Sequence, residues 1–567
     1  MASTFHHNVK LSEVLRNTVV RKLELDFQSK TIYIQPEGPK RLAPLLQNLE
    51  QVWGHNCNLN QGDMYKLLFP KMSDDHLIWE ARNDFKHYNL SKLIIEGFQE
   101  DRLSKLPDDI LMCILDKLDV LCDAVRTSIL SRRWRHVVGL LTKITLSTAD
   151  FEPPEEHSKS AFDVVAQSNM DMVKAVTSIL AHKSQHTIEL LSLTFYLRDE
   201  SIDIVRSVDH TMENREVVTA SFAIFPEMRD MECTDNDMVV YGRRFLSFFY
   251  NYPRVFGSLK SLHMEGLRLG KSDVANILST SVKLEYLCLN NCDCGIRSLL
   301  QIEHPQLMEL KIIFCAFEQV ELNRLPKLQR LTCEAWMPSQ NQYPLSFGYV
   351  PQLWELCLIN TGSTLHKTFK LSDFLGNAII RQLDLDFECD RIWIQPEAPR
   401  QLGLLFQNLQ AVILRNIYDE CDLNWTMFFL EAAPLLKKIS IRAWDHVCYL
   451  YEEDEFKEHD ELWQQILQKE QPTKWETPDG FKHYNLSALV INGFEAEERF
   501  TRYIRQVMKA AVNLERISLY DNSSCPWCHF SPSKRYPRTE EERHTITKQI
   551  LEWRSSPINV KIGMHKV

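Results

Sequence analysis

The sequence predicts an α/β chain: a small helical module followed by an open solenoid of parallel strands joined by returning helices or turns. Three observations carry that prediction. Between residues 101 and 140, two short apolar stripes recur at helical spacing. From Leu259 onward, a strand pattern of the form Leu-x-x-Leu-x-Leu returns at near-regular intervals. Two long stretches of the chain also repeat one another almost without gaps.

The strand pattern reads Leu259-Leu262-Met264, Leu284-Leu287-Leu289, Leu307-Leu310-Ile312, Leu328-Leu331-Cys333 and Leu353-Leu356-Leu358. Its central positions are 25, 23, 21 and 25 residues apart, inside the interval of leucine-rich repeats. Alternate apolar residues leave one face of a short strand, and the interval leaves room for a return path. One such unit cannot bury its apolar face alone, whereas a stack shares one core. Weaker units follow at Ile380-Leu383-Leu385, Leu409-Val412-Leu414, Leu436-Ile439-Ile441, Leu486-Leu489-Ile491 and Leu514-Ile517-Leu519. Leu190-Leu193-Phe195 is a candidate start of the array, and Asn290-Asn291-Cys292 matches the turn that follows a repeat strand.

The longer repetition is a duplication. Lys10–Glu50 aligns to Lys370–Gln410 at a constant offset of 360, with 21 identities in 41 positions. Leu25-Asp26-Phe27 matches Leu385-Asp386-Phe387, and Ile34-Gln35-Pro36-Glu37 matches Ile394-Gln395-Pro396-Glu397. A second block resumes at offset 396, where Phe85-Lys86-His87-Tyr88-Asn89-Leu90-Ser91 matches Phe481 to Ser487. The first copy is thus 36 residues shorter between the blocks, the difference of the two offsets. Either the tail of a neighbouring paralogue has been joined to the front, or the copy is an extra domain of the solenoid. The division expected is 1–98 for the partial duplicate, 101–148 for the helical module, 186–365 for the repeats and 366–567 for the C-terminal repeats and tail.

In the helical module, Pro107 suits a first helical position, where its missing N–H costs nothing. Asp108 and Asp109 then fall in the first turn, favoured by the helix dipole. Ile110, Leu111, Ile114, Leu115 and Leu118 form one stripe. Val125, Ile129, Leu130 and Trp134 form a second, with Arg132, Arg133 and Arg135 on a wetter side. So short a segment carries more apolar surface than it can bury internally, which calls for a partner or for docking on the repeats.

These residues resemble the F-box, in Leu106-Pro107-(x)6-Ile114-(x)3-Leu118 and in Leu130-Ser131-Arg132-Arg133-Trp134-Arg135. With the repeats and the tail, the chain is similar to the plant F-box/FBD/leucine-rich-repeat family over about 101–567, and 1–98 resembles a second, partial FBD-type tail. The resemblance implies that the F-box docks on the Skp-type adaptor of a cullin–RING ubiquitin ligase while the repeats present a protein substrate. Carried over by motif, the adaptor-facing residues are Leu106, Pro107, Ile110, Leu111, Ile114, Leu118, Leu130 and Trp134, some of them serving internal packing instead. In the family the F-box usually opens the chain. Here about 100 residues precede it, which either obstruct the adaptor or swing aside.

Composition fits this reading. Hydrophobic residues make up 44% and charged residues 25%, as in folded soluble proteins. A net charge of −11 disfavours a general nucleic-acid binder. No secretory signal and no run long and apolar enough to span a membrane is visible. With no export signal in view, the 15 cysteines, which lack framework spacing, are expected to be reduced, the sequons at Asn89, Asn485 and Asn522 are expected to be accidental, and the expected location is the nucleus and/or cytoplasm.

No catalytic, cofactor or metal residues are assigned. Gly266-Leu-Arg-Leu-Gly270-Lys271-Ser272 has three residues between its glycines where a phosphate loop needs four, so a repeat turn is expected. Cys525-Pro-Trp-Cys528-His529 has metal-ligand spacing without a second pair, and Cys292-Asp-Cys294 reads as repeat packing. Glu452-Glu453-Asp454-Glu455 reads as a solvated insertion, and Trp393, Trp425, Trp444 and Trp475 as mostly core. The expected function is non-catalytic recognition: holding an unknown protein substrate near a ligase raises its effective concentration. The rival is a repeat scaffold, or a fused gene product, without adaptor binding.

Overall fold

The structure is a computed structural model that describes residues 9–10, 22–26, 34–35, 51–55, 111, 140–152, 161–181, 187–228, 233–295, 298–334, 345–359, 369–375, 378–387, 392–418, 421–444, 475–522, 535–552 and 558–563. The chain forms two compact units. The first comprises Met1–Asp119, Arg126–Val137 and Pro153–Ser158, and the second comprises Val120–Val125, Val138–Glu152 and Lys159–Val567.

The second unit is built on one 14-stranded parallel sheet. Its strands are β1 (Lys143–Ser147), β2 (Ile188–Tyr196), β3 (Val217–Phe225), β4 (Leu259–Glu265), β5 (Tyr286–Asn290), β6 (Glu309–Ile313) and β7 (Arg330–Glu334). They continue as β8 (Glu355–Ile359), β9 (Gln382–Asp386), β10 (Ala411–Tyr418), β11 (Lys438–Trp444), β12 (Ala488–Asn492), β13 (Arg516–Tyr520) and β14 (Asn559–Gly563). Each strand pairs with the next, so sequence order is spatial order.

The register follows the leucine pattern. Leu262, Leu287, Leu310, Leu331, Leu356, Leu383, Val412, Ile439, Leu489 and Ile517 stand in one row across ten strands. All ten are buried. A one-residue slip in any strand would turn this row to the opposite face, which is why the pattern fixes the pairing. The row extends upstream through Phe222, Leu193 and Leu146. The array therefore opens at β1, inside the stretch assigned from sequence to the helical module, and gains β3, which the leucine spacing did not mark. Ile144-Thr-Leu146 and Phe222-Ala-Ile224 supply the same alternation with other apolar residues.

The early repeats return through helices: α1 (Ala161–Leu180), α2 (Ile202–Asn214), α3 (Asp235–Asn251), α4 (Pro253–Ser258) and α5 (Asp273–Thr280). A capping box starts α3. There the Thr234 N–H donates to Asp237 Oδ2 at 2.9 Å and the Asp237 N–H to Thr234 Oγ1 at 3.4 Å. Phe256 on α4 packs edge-on against Phe222 in the row, with centroids 6.1 Å apart, and against Phe245 and Phe249 of α3. The helices thus cover the leucine side. Further on, the shorter repeats return through strands. Ser298–Glu303, Phe317–Arg324 and Leu345–Tyr349 form a second parallel sheet. Leu300 and Ile302 there are buried while Leu299 is exposed, a period-two pattern that selects strand over helix. Short helices resume at Leu371–Leu375, Pro399–Leu402 and Met427–Ala432, and longer ones follow as α6 (Glu498–Ala510) and α7 (Glu540–Leu551).

Two buried histidines tie successive repeats by one device. His304, three residues before Leu307, donates through Nε2 to the Ser281 carbonyl at 3.0 Å and accepts the Gln306 N–H on Nδ1. His483, three residues before Leu486, donates through Nε2 to the Ala433 carbonyl at 3.0 Å and accepts the Leu486 N–H on Nδ1. A backbone N–H can only donate, so Nδ1 is bare and each ring is neutral. Burial lowers both imidazole pKa values, opposed by the carbonyl that each ring faces. The Phe-Lys-His-Tyr-Asn-Leu-Ser block thus contains a tie between repeats.

In the first unit, Val9–Lys10 pairs with Ile34–Gln35, and Lys22–Asp26 pairs with Gln51–His55, both in parallel. In the second unit Phe369–Lys370 pairs with Ile394–Gln395, and Gln382–Asp386 with Ala411–Arg415. Every one of these partner pairs is related by the offset of 360 seen in the sequence.

Candidate functional site

Of the eight residues that the motif assigns to adaptor docking, the structure describes Leu111, which is helical and fully buried. Leu106, Pro107, Ile110, Ile114, Leu118, Leu130 and Trp134 lie outside the described residues, as do Arg132, Arg133 and Arg135, the Cys525–His529 motif, the acidic run from Glu452 and the sequon at Asn89.

What the structure does place is the face of the sheet opposite the leucine row. Its side chains alternate with the buried row and come from every strand. At its centre, β7 to β10 bring together Glu334, Glu355, Cys357, Asp384, Asp386 and Arg415. The Arg415 guanidinium reaches Asp384 with Nε at 2.9 Å from Oδ1 and Nη2 at 2.5 Å from Oδ2. Asn416 donates to both oxygens of Asp386, at 2.9 and 3.1 Å. Asn416 takes a left-handed φ of 50°, at the irregularity between Leu414 and Ile417 in β10. Asparagine tolerates that conformation better than other non-glycine residues. Burial raises the Asp384 carboxyl pKa, against the pull of Arg415, and burial then Asp386 raise that of Glu334. Burial likewise pushes the Cys357 thiol up to about 12, so it is no thiolate nucleophile at neutral pH.

Other motifs resolve as packing. Leu267 and Leu269 of the glycine-flanked segment are buried. Between them, Arg268 grips Asp293 of the Cys292-Asp-Cys294 turn with two hydrogen bonds, of 2.6 and 2.8 Å. Asn291, in the expected turn, has a φ of 45°. Trp393 and Trp425 are core residues, and Trp475 donates through Nε1 to Glu431 at 2.8 Å. The side chain of Trp444 lies outside the described residues. The sequon amides of Asn485 and Asn522 donate to the carbonyls of Pro434 and Ala443. Among the described residues no group of three or more His, Cys, Asp and Glu is placed to hold a metal, and no helix is long and apolar enough to cross a membrane. The Arg415–Asp384 and Asn416–Asp386 pairs were missed from sequence. Their signal was the alternation itself, which marks positions 384, 386 and 415 as facing away from the row.

A stack of parallel strands in leucine register, with its returns on one side and a polar face on the other, defines a leucine-rich-repeat protein. The family model described as At1g61320/AtMIF1, LRR domain, matches residues 252–555, and the F-box domain model matches residues 103–143. The chain belongs to the F-box/leucine-rich-repeat family. Among its relatives in Arabidopsis thaliana, the F-box/FBD/LRR-repeat protein At3g14710 is 24% identical over 376 residues, 62% of this chain and 76% of that protein. The F-box/LRR-repeat protein At5g02910 is 25% identical over 234 residues, 41% of this chain and 43% of that protein. The F-box protein At3g59000 is 37% identical over 81 residues, 14% of this chain and 16% of that protein.

Proposed function

We propose that this protein is the non-catalytic substrate-recognition subunit of a Skp–cullin–F-box ubiquitin ligase. Its F-box docks on the Skp-type adaptor, and through it on the cullin, while the open face of the repeats holds a protein substrate. The observation that carries this reading is the pairing, in one chain, of an F-box match at 103–143 with a 14-stranded sheet that turns one polar face outward. Such a face presents side chains from many strands at fixed spacing, as recognition of a protein segment requires. The mechanism is proximity, with the chemistry left to the partners. The nucleus and/or cytoplasm is the expected place of action.

The test is adaptor binding by the full-length protein and by Trp134→Ala and Leu106→Ala. Apolar anchors of this kind concentrate interface energy, so each variant should lose about 2 kcal/mol, roughly thirtyfold in affinity. Wild-type affinity in both folded variants would refute the docking assignment. A chain beginning at Asp101 measures whether the leading copy obstructs the F-box.

A further inference from the structure

The open face is electrostatically divided. On β6 to β10 its cations are neutralised locally: Lys311 lies 3.4 Å from Glu309, Arg330 pairs with Glu309, and Arg415 pairs with Asp384. On β11 to β14 the pattern changes. Lys438 and Arg442 on β11, Arg516 on β13 and Lys561 on β14 face the same way, alternating with the buried Ile439, Ile441 and Ile517. Among the described residues, none of the four lies within ion-pairing distance of a carboxylate. The other open-face residues described on these strands are Ser440, Ala488, Val490, Asn492, Ser518, Tyr520, Asn559 and Gly563, none of them acidic. Lys438 aligns with Ala488 and Arg516 in one cross-strand row, and Lys561 follows on the next strand beside Ser518. Neighbouring strands are about 4.8 Å apart, which puts Lys438 and Arg516 about 10 Å apart. On a chain of net charge −11, four uncompensated cations on one rigid sheet are a concentrated exception.

We infer that the C-terminal end of the open face, Lys438, Arg442, Arg516 and Lys561, binds an acidic segment of a partner protein. The inference rests on the recognition role proposed above and gives its substrate a chemistry. An extended peptide sets alternate side chains about 7 Å apart on one side. Aspartates and glutamates at that spacing can engage two or three of the four cations together. The fixed backbone registers spare the sheet a backbone ordering cost, so what is lost on binding is the side-chain freedom of the cations engaged.

The experiment is fluorescence anisotropy of a labelled ten-residue Asp/Glu peptide with the full-length protein, at low and moderate salt. The expected result is saturable binding that weakens as salt is added. Arg442→Glu/Arg516→Glu should lose at least about tenfold in affinity through like-charge opposition. Lys143→Glu, on β1 at the other end of the sheet, should retain it, and all variants should keep the parent melting curve. Equal binding by the charge-reversed protein overturns the inference. So does equal binding of a neutral peptide, or displacement of the acidic peptide by a single-stranded oligonucleotide at lower concentration. Binding seen only after deletion of residues 452–461 also overturns it, because the chain's own acidic run would then be the occupant. Adaptor binding is read separately through Trp134, so loss of one function leaves the other measurable.

Discussion

Residues 9–55 and 369–415 are duplicates, 21 of the 41 positions from Lys10 to Glu50 being identical, and form the same strand pairs, yet the two stretches end in different company. Among the described residues, Lys22–Asp26 and Gln51–His55 pair with each other as a two-stranded sheet. Their counterparts β9 and β10 are interior strands, flanked by β8 and β11 in the 14-stranded sheet. The pairing register is therefore carried by the local sequence, because the offset of 360 holds at every partner. What the local sequence does not carry is the neighbour on either side, and in a repeat array the neighbours complete the core. The two copies also differ in sequence at positions that lie on the open face of the second: Asp384 and Arg415 stand where the first copy has Glu24 and His55.

The largest break in the comparison is Leu385→Ala. Leu385 is fully buried between its neighbours in the sheet, so truncation should cost about 3 kcal/mol or more. Denaturant unfolding measures this, and Leu25→Ala in the same assay shows whether the first copy shares that cooperative unit. Gly493→Ala follows. Gly493 has a φ of 73°, and a Cβ there would lie 2.1 Å from the Ala443 carbonyl oxygen, so backbone must move. Gly480 has a φ of 81° but open space around it. Gly480→Ala should cost about 1 kcal/mol of backbone strain, and Gly493→Ala at least about 2 kcal/mol. Equal melting temperatures for the two variants would contradict the close approach.

Arg415→His writes the first copy's residue into the second and tests what the outward difference does. Asp384 is almost wholly buried while Arg415 is about half exposed, so solvent screening reduces the loss to about 1–2 kcal/mol at neutral pH. The sign with pH is fixed by burial. The Asp384 pKa is raised in the folded state, so its protonated form is favoured there, and the fold loses stability as pH rises above the ordinary carboxylate range. Removing Arg415 takes away the opposing pull and enlarges that loss. The gap in melting temperature between wild type and variant should therefore narrow as pH falls from 7 toward 5. A gap that widens would mean Asp384 is ionised and well solvated without Arg415.

Most of the fold was legible because one constraint, burial of a leucine row, repeats with a countable period. Leu262 to Leu356 announce themselves, and the strands they mark pair in the register that the spacing requires. β1 and β3 were not marked because Ile144, Leu146, Phe222 and Ile224 satisfy burial without the leucine signature. The strand returns at 298–349 were missed because a short interval states how long a connection is and not which hydrogen bonds it makes. The outward face was illegible for a different reason. Positions such as 384, 415, 442 and 516 are unconstrained by the core, and their meaning depends on which strands stand beside them.

The smallest effect expected belongs to the histidine ties, and it sharpens the comparison at the Phe-Lys-His-Tyr-Asn-Leu-Ser block shared by both copies. His304 and His483 are held neutral, with pKa values lowered in the folded state mainly by burial. The unfolded chain therefore binds protons more readily, and stability is lost as pH falls through and below the ordinary imidazole value of about 6.5. Above that value both states are neutral and the ties contribute their hydrogen bonds in full. The raised carboxyls of Glu334, Glu355 and Asp384 act in the opposite sense over neighbouring pH, so the whole-protein profile mixes the two. The difference between wild type and His483→Gln isolates the tie, since glutamine does not titrate. Between pH 8 and 5 the melting temperature of His483→Gln should fall less steeply than that of wild type, with a lower starting point from the lost carbonyl contact. Parallel profiles would mean that His483 accepts its proton within the fold, which its Nδ1 contacts with backbone donors do not allow. His87→Gln run alongside then asks whether the first copy ties to anything at all: an unchanged profile would mean that the repeated block contributes its hydrogen bonds to stability only where a preceding repeat supplies the carbonyl.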